Sequence, residues 1–357
     1  MKKKKLLIWS TSVSDLLDGD KMIGGISIQL YFWAQVFQNN GWEVTCITHH
    51  QSSIREGLRF QKINSWGKFD IIGEWLSIIW LLIFYRPTII ISRGASRIVC
   101  PLAILSKMFH CRYLFFGASD SDFVPGKELI GGGQHNAKLY RKGMRYVRHI
   151  VVQNTFQKET LNCNYHHESI ILPNIWRHFP NFTETSFETD FIWVANLRTL
   201  KRPEWFLRLA QALPQYRFTM IGGPTKDADY FAQIQDAATA IPNFSFLGAK
   251  PFAEVNHYIS KAKFLVCTSE FEGFPNTFLQ AWSAGIPVIS TVDPSDLIKQ
   301  ECLGSVVMNE DELKDSAVSL MSDSAKYHQI KRNIHRYFDQ YHSSQSNFLK
   351  LIDYLYV

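Results

Sequence analysis

Two stretches of the chain put charged and hydroxyl-seeking side chains where a helix begins. "FIWVANLRTLKRPEWFLRLAQAL" (191–213) runs an apolar strand into a loop with Arg198, Lys201 and Arg202, then places Pro203 at the first helical position. Cations raised at a strand end can neutralise a departing diphosphate by charge-assisted hydrogen bonds, without a metal. "TSEFEGFPNTFLQAWSAGIPVIST" (268–291) repeats the design: strand, loop with Glu272, Gly273 and Pro275, helix from about Asn276, stop at Gly285, next strand. Gly273 permits close backbone approach, and the helix offers unsatisfied N–H groups and a positive dipole end, which suit phosphate. Glu272 is a poor phosphate ligand but a good acceptor for sugar hydroxyls, and Gln280 can both donate to and accept from vicinal hydroxyls. Taken singly, these features also describe an ordinary capped helix and a solvated basic loop; together they describe a site for phosphate plus polyol.

The first half carries weaker candidates. Gly24 and Gly25 lie between the first strand and a helix, where a phosphate or sugar could approach. Asp120 and Asp122 form a DxD in "GASDSDF" (117–123), readable as acceptor-hydroxyl contacts or as a capped turn. Arg93 in "ISRG" and His135 in "GGGQHN" fall on loops near the same edge.

Such loops need strands to carry them. Runs such as LLIWST (6–11), VTCIT (44–48), TIIISR (88–93), RYLFFG (112–117) and HIVVQN (149–154) alternate with helical patterns, as do FIWVAN (191–196), RFTMIGG (217–223), KFLVCT (263–268) and PVIST (287–291). Continuous apolar runs mark parallel strands covered on both faces, and strand–helix–strand repetition gives a doubly wound α/β sheet, whose ligands sit beyond the carboxyl ends of the strands. The polar, aperiodic "IWRHFPNFTETSFETD" (175–190) reads as a linker. The expected organisation is a first α/β domain over 1–175, a linker over 176–190, a second α/β domain over 191–335, and a C-terminal helix over 336–357 that returns to the first domain.

The 357 residues carry 46% hydrophobic and 20% charged side chains and a net charge of +6, a globular composition that excludes disorder and suits anionic small ligands or an anionic membrane surface. No stretch interleaves basic and aromatic residues as a nucleic-acid groove would. Neither domain has a GxGxxG after its first strand, which argues against a dinucleotide oxidoreductase. The six cysteines form no close pair and point to a reducing, cytoplasmic compartment. "MKKKKLLIWSTS" has too short an apolar run for an export signal. "WLSIIWLLIFY" (75–85) is too short to span a bilayer and reads either as a buried helix or as one dipping into a membrane surface beside the basic start.

With these motifs in place the chain resembles the retaining glycosyltransferases of family four, of the two-domain GT-B fold. "EGFPNTFLQAWSAGIPVIS" is similar to the family's Glu-x7-Glu signature with Glu272 first and Gln280 in the second place, and "NLRTLKRPE" to its donor-diphosphate loop with Lys201 as the lysine. "IGGISIQLYFWAQVFQNNGWEVTCIT" resembles the glycine-rich first loop and helix. The chain departs from the family at Asn196, where an arginine is usual, with Arg198 nearby to supply the charge. It departs again at Ser119 and Asp120, where a histidine is frequent. The resemblance implies transfer of a sugar, as by a hexosyltransferase, from a nucleotide-diphosphate donor in the interdomain cleft to a glycan or lipid-linked acceptor, with retained configuration. Bacterial capsule, O-antigen or exopolysaccharide synthesis is the implied setting. Lys201 and Arg198 would stabilise the leaving diphosphate, aided by the helix end at Phe274, Pro275, Asn276 and Thr277. Glu272 would hold sugar hydroxyls, Gln280 the ribose, and Gly248 in "FLGAKP" would border the base. No cofactor or metal is implied. The alternatives are an inactive sugar-nucleotide-binding subunit and a GT-B-like epimerase.

Overall fold

In the computed structural model, residues 3–17, 25–63, 70–131, 133–176, 187–224, 227–272 and 274–356 are described. Gly24, Gly273 and most of the expected linker lie outside them. The chain divides into two compact units, Met1–Ile175 with Tyr341–Val357, and Trp176–Gln340.

The first unit is built on a sheet ordered β3-β4-β2-β1-β5-β6-β7-β8. Its strands are β1 (Lys5–Ile8), β2 (Glu43–Thr48), β3 (Ser53–Arg55), β4 (Leu58–Lys62), β5 (Ile89–Arg93), β6 (Arg112–Phe116), β7 (His149–Val152) and β8 (Ile170–Ile171). The pairs are parallel except β3 with β4. The parallel order follows from strands such as β1 and β5, whose Leu6, Leu7, Ile8, Ile89, Ile90 and Ile91 are all fully buried and need cover on both faces. β3 is absent from the sequence reading because "SIR" is three residues long with Ile54 exposed, so it has no apolar face to signal it.

The helices of this unit are α1 (Ser12–Leu17), α2 (Gly25–Asn39), α3 (Asp70–Trp80), α4 (Val99–Met108), α5 (Gly133–Met144), α6 (Thr155–Tyr165) and, at the C-terminus, α14 (Ser344–Tyr356). α14 returns to α2: Phe348 meets Phe37 edge-on with ring centroids 5.1 Å apart, and Gln345 and Asn40 exchange amide hydrogen bonds. Gln29 of α2 is fully buried and clasps the peptide of Ile175 from both sides, at 3.1 and 3.0 Å. His342, just before α14, is also fully buried and donates from Nδ1 to the Asn174 carbonyl at 2.6 Å.

The second unit has a parallel sheet ordered β11-β10-β9-β12-β13-β14, from β9 (Thr189–Val194), β10 (Phe218–Ile221), β11 (Phe244–Phe246), β12 (Ala262–Cys267), β13 (Val288–Ser290) and β14 (Gly304–Val306). Phe191 stacks between Phe218 and Phe264 across the three central strands, at 5.0 and 5.6 Å. The helices are α7 (Pro203–Ala212), α8 (Ala228–Thr239), α9 (Phe252–Ser260), α10 (Asn276–Ser283), α11 (Leu297–Gln300), α12 (Glu310–Ser322) and α13 (Ser324–Tyr341). Both sheets bear out the doubly wound α/β expectation.

Candidate active site

The site grows out of the carboxyl ends of neighbouring strands β9 and β12. After β9 a single 3-10 turn, Thr199–Lys201, brings the chain to Arg202 at φ +46° and then to Pro203, the first residue of α7. A residue before proline is disfavoured in the right-handed helical region, and here it takes the left-handed one. That strained conformation is held from three sides. Arg202 Nε donates to the Thr268 carbonyl at 2.7 Å, its Nη2 donates to the Ser269 carbonyl at 3.1 Å, and its guanidinium stacks on Trp205. Of the three cations in this loop, Arg202 is therefore spent on tying the loop after β9 to the loop after β12.

Thr268 is the other half of the tie. Its buried hydroxyl shares its one proton between the Lys201 and Arg202 carbonyls, at 2.7 and 2.9 Å, and accepts from Trp193 Nε1 at 2.9 Å. The Glu270 amide adds a bond to the Leu200 carbonyl at 2.8 Å. We expect Thr268→Val to cost about 1–3 kcal/mol, because it keeps the shape but leaves the Trp193 indole N–H buried without an acceptor. Thr268→Ser should stay near the wild type, and calorimetric melting of both variants checks the difference.

So held, the Lys201 ammonium meets the Glu272 carboxylate, which also accepts from Ser269 Oγ at 2.9 Å. The side chains are 17% and 20% exposed, so the pair faces outward from a shielded base. Arg198, four residues beyond β9, is exposed. α10 begins after Pro275, whose own side chain cannot cap it, and Phe274 sits edge-on to Trp282 of that helix. Asn276 and Thr277 form its half-buried first turn. Gln280 is turned inward: it is buried and its Nε2 donates to Asn256 Oδ1 of α9 at 2.8 Å. Gly248 has φ +67° and open space where a side chain would stand, and its carbonyl accepts from the Gly222 amide. Sequence reasoning passed over Gly222, where a Cβ would lie 2.2 Å from the Ala195 carbonyl oxygen; only glycine lets the β10 exit pack on the β9 exit.

The first-unit candidates behave differently. Gly25 opens α2. Asp122 is consumed by backbone: it is buried, and its carboxylate accepts from the Ala118 and Ser119 amides of its own loop at 2.7 and 3.1 Å and from the Ala95 amide of the loop after β5 at 3.4 Å. This corrects its reading as an acceptor contact in favour of the capped turn, since those bonds hold the loop beside Arg93. Burial pushes the Asp122 carboxyl up, and the three amides and Arg93 oppose that shift. Asp120 accepts from Gln157 Nε2 at 2.9 Å and Asn154 Nδ2 at 3.3 Å. Arg93 donates from Nη2 to Asn174 Oδ1 at 2.6 Å, and burial lowers its pKa to about 10, against the pull of Asp122. His135 is exposed in the first turn of α5 and makes no hydrogen bond among the described residues.

Residues 188–323, the bulk of the second unit, match the family described as glycosyl transferases group 1. A stretch of 123 residues, 33% of this chain, is 28% identical to the Vi polysaccharide biosynthesis protein VipC/TviE of Salmonella typhi and spans 20% of that protein. Sucrose-phosphate synthase from Thermosynechococcus elongatus superposes with a TM-score of 0.75 at 12% identity, over 98% of both chains. The pneumococcal O-GlcNAc transferase GtfA, solved with UDP and GlcNAc, superposes with a TM-score of 0.71 at 11% identity, over 100% of both. At such identities the likeness is one of fold, and the fold is GT-B.

Proposed function

We propose that this chain, a GT-B fold with a glycosyl-transferases-group-1 match in its second unit, moves a sugar from a nucleotide-diphosphate donor to a glycan or lipid-linked acceptor. The observation that carries the reading is the Lys201–Glu272 pair held over the ends of β9 and β12, beside the amino end of α10. Such a pair offers one cation for a diphosphate and one carboxylate for sugar hydroxyls within reach of each other. Lys201 would meet the charge that develops on the leaving diphosphate, joined by Arg198 and by the α10 amides. Glu272 would orient the donor sugar through its hydroxyls, held in place by Lys201 and Ser269. The acceptor hydroxyl would attack from the face the diphosphate leaves and pass its proton to the departing diphosphate oxygen, so the anomeric configuration is retained and no protein nucleophile is needed. A setting in surface polysaccharide synthesis is supported by the Vi polysaccharide relative.

A thermal-shift screen with UDP-, GDP- and ADP-sugars tests this. One class should raise the melting temperature, by the equivalent of about 2.7 kcal/mol at a hundredfold excess over Kd. Lys201→Ala and Glu272→Ala should abolish the shift. The reading fails if no activated sugar binds, or if both variants respond like the wild type.

A further inference from the structure

We propose that the first unit seats itself on an anionic lipid bilayer through an apolar stripe along α3 and the turn that follows it. The proposal rests on surface chemistry alone and stands whether or not the second unit transfers sugar.

α3 has two apolar faces. Ile78, with Leu81, Leu82 and Tyr85 just beyond the helix, is buried in the core of the first unit. The opposite face carries Ile72, Leu76, Trp80, Ile83 and Phe84, all exposed, with Ile72 at 53% and Phe84 at 67%. From Ile72 to Phe84 the stripe runs about 18 Å at the helical rise. Isolated surface apolar residues need no explanation, but a continuous stripe of five does.

The stripe is built into the fold and is not a frayed end. Leu81–Tyr85 form a π-helical turn closed by the Arg86 amide on the Leu81 carbonyl at 3.0 Å. Tyr85 fastens that turn to the sheet, its hydroxyl donating towards the Leu6 and Glu43 carbonyls at 3.2 and 3.1 Å, while Lys5 Nζ donates to its carbonyl at 3.2 Å. Trp80 and Phe84 pair with ring centroids 5.5 Å apart, a rigid aromatic knob in solvent. α3 leads into β5 and α4 leaves it, so both helices run back to the same sheet edge. There α4 adds exposed Met108 and Phe109. A cavity of about 440 Å³ opens beside the stripe, lined by Ile63, Leu76, Trp80 and Leu81, and extends the apolar surface inward.

Charge decides the occupant. Exposed cations border the stripe: Lys62 at the cavity mouth, Arg86 at the end of the turn, and Lys107 in the last turn of α4. Of the two carboxylates on α3, Asp70 stands at its first position and Glu74 is neutralised by a forked bond from Arg97 at 3.1 and 3.2 Å. Aromatic and branched side chains flanked by cations match the boundary between acyl chains and anionic headgroups. Among the described residues no helix is long and apolar enough to cross a membrane, so the helix would lie along the surface.

Co-flotation of the full chain with vesicles tests the proposal, comparing phosphatidylcholine containing about 30% phosphatidylglycerol with phosphatidylcholine alone. The wild type should float with the anionic vesicles and much less with the neutral ones. Trp80→Ser with Phe84→Ser should lower partitioning at least tenfold. Lys62→Glu, Arg86→Glu and Lys107→Glu should each lower it about fivefold or more. If the aromatic variant melts early, the charge reversals decide, since all three side chains are exposed. The proposal is overturned if the wild type stays with the soluble fraction, or if the variants float as it does. It is equally overturned if ultracentrifugation shows a wild-type dimer that Trp80→Ser with Phe84→Ser converts to monomer, for then a second copy covers the stripe.

Discussion

Replacing Lys201 by alanine is expected to lower sugar transfer by about 10²–10³-fold, the usual cost of losing one group aimed at developing charge in a shielded site. Two effects act in the same direction. The leaving diphosphate loses the ammonium that would meet it. Glu272, left with only the Ser269 hydroxyl among the bonds now holding it, becomes an unopposed negative charge beside an anionic donor. The first effect lowers kcat, and the second weakens donor binding and raises KM. Glu272→Gln separates them, because it removes the carboxylate charge, keeps hydrogen-bonding capacity towards sugar hydroxyls, and leaves Lys201 free to meet the diphosphate. Its loss should be smaller and lie mainly in donor affinity. Arg198→Ala, at an exposed position, should cost about tenfold or less, since solvent screens an exposed cation. Initial rates over a range of donor concentrations, which separate kcat from KM, with product anomers assigned by NMR, check all three variants. A Lys201→Ala enzyme within threefold of the wild type would remove the lysine from the chemistry.

How far such a site is legible in the sequence depends on how local its signals are. The strands announce themselves because a parallel strand covered on both faces must have an apolar centre, as β1, β5, β9 and β12 have in residues 6–8, 89–91, 191–194 and 264–267. Lys201 and Glu272 are legible because each sits at a strand-to-helix junction, where ligands are met in open α/β sheets. What holds them is not. Thr268 reads as one more β-branched strand residue, and its role exists only because the loop after β9 lies beside the loop after β12. Arg202 reads as a ligand cation, yet its guanidinium closes on two carbonyls of that other loop. Asp122 shows the same limit from the other side, for a DxD spacing cannot tell a carboxylate offered to a ligand from one filled by two amides of its own loop and one of the loop after β5. Gln29 carried a local signal, a polar side chain within an otherwise apolar helical run, although its partner lies 146 residues away.

His342 gives the largest expected effect on stability. Its neighbourhood, "DQYHSSQ", is polar and hides the fact that the ring is fully buried, with Nδ1 on the Asn174 carbonyl. Burial lowers its pKa from 6.5 to about 4, a shift only partly opposed by that hydrogen bond. Above pH 6.5 the ring is neutral in folded and unfolded chains alike, and the contribution is fully present. As the pH falls below 6.5 the unfolded chain takes up a proton that the folded one refuses until about pH 4, so stability is lost across that window. Between about pH 7.5 and pH 4.5 the loss due to this one ring comes to about 2–3 kcal/mol, a large share of the margin by which domains stay folded. His149 has a lowered pKa too, through burial first and then Arg112 and Arg148, but it is only half-buried, so its share is smaller and persists in a His342 variant. His342→Gln replaces the ring with an amide that can still donate to Asn174 and has no proton to gain. Its denaturant midpoints should therefore fall less steeply with acid than those of the wild type, with the two stability curves converging towards pH 4. Parallel curves across the window would mean that the ring is protonated as easily in the folded chain as in the unfolded one, and that the clasp at Asn174 is open to water.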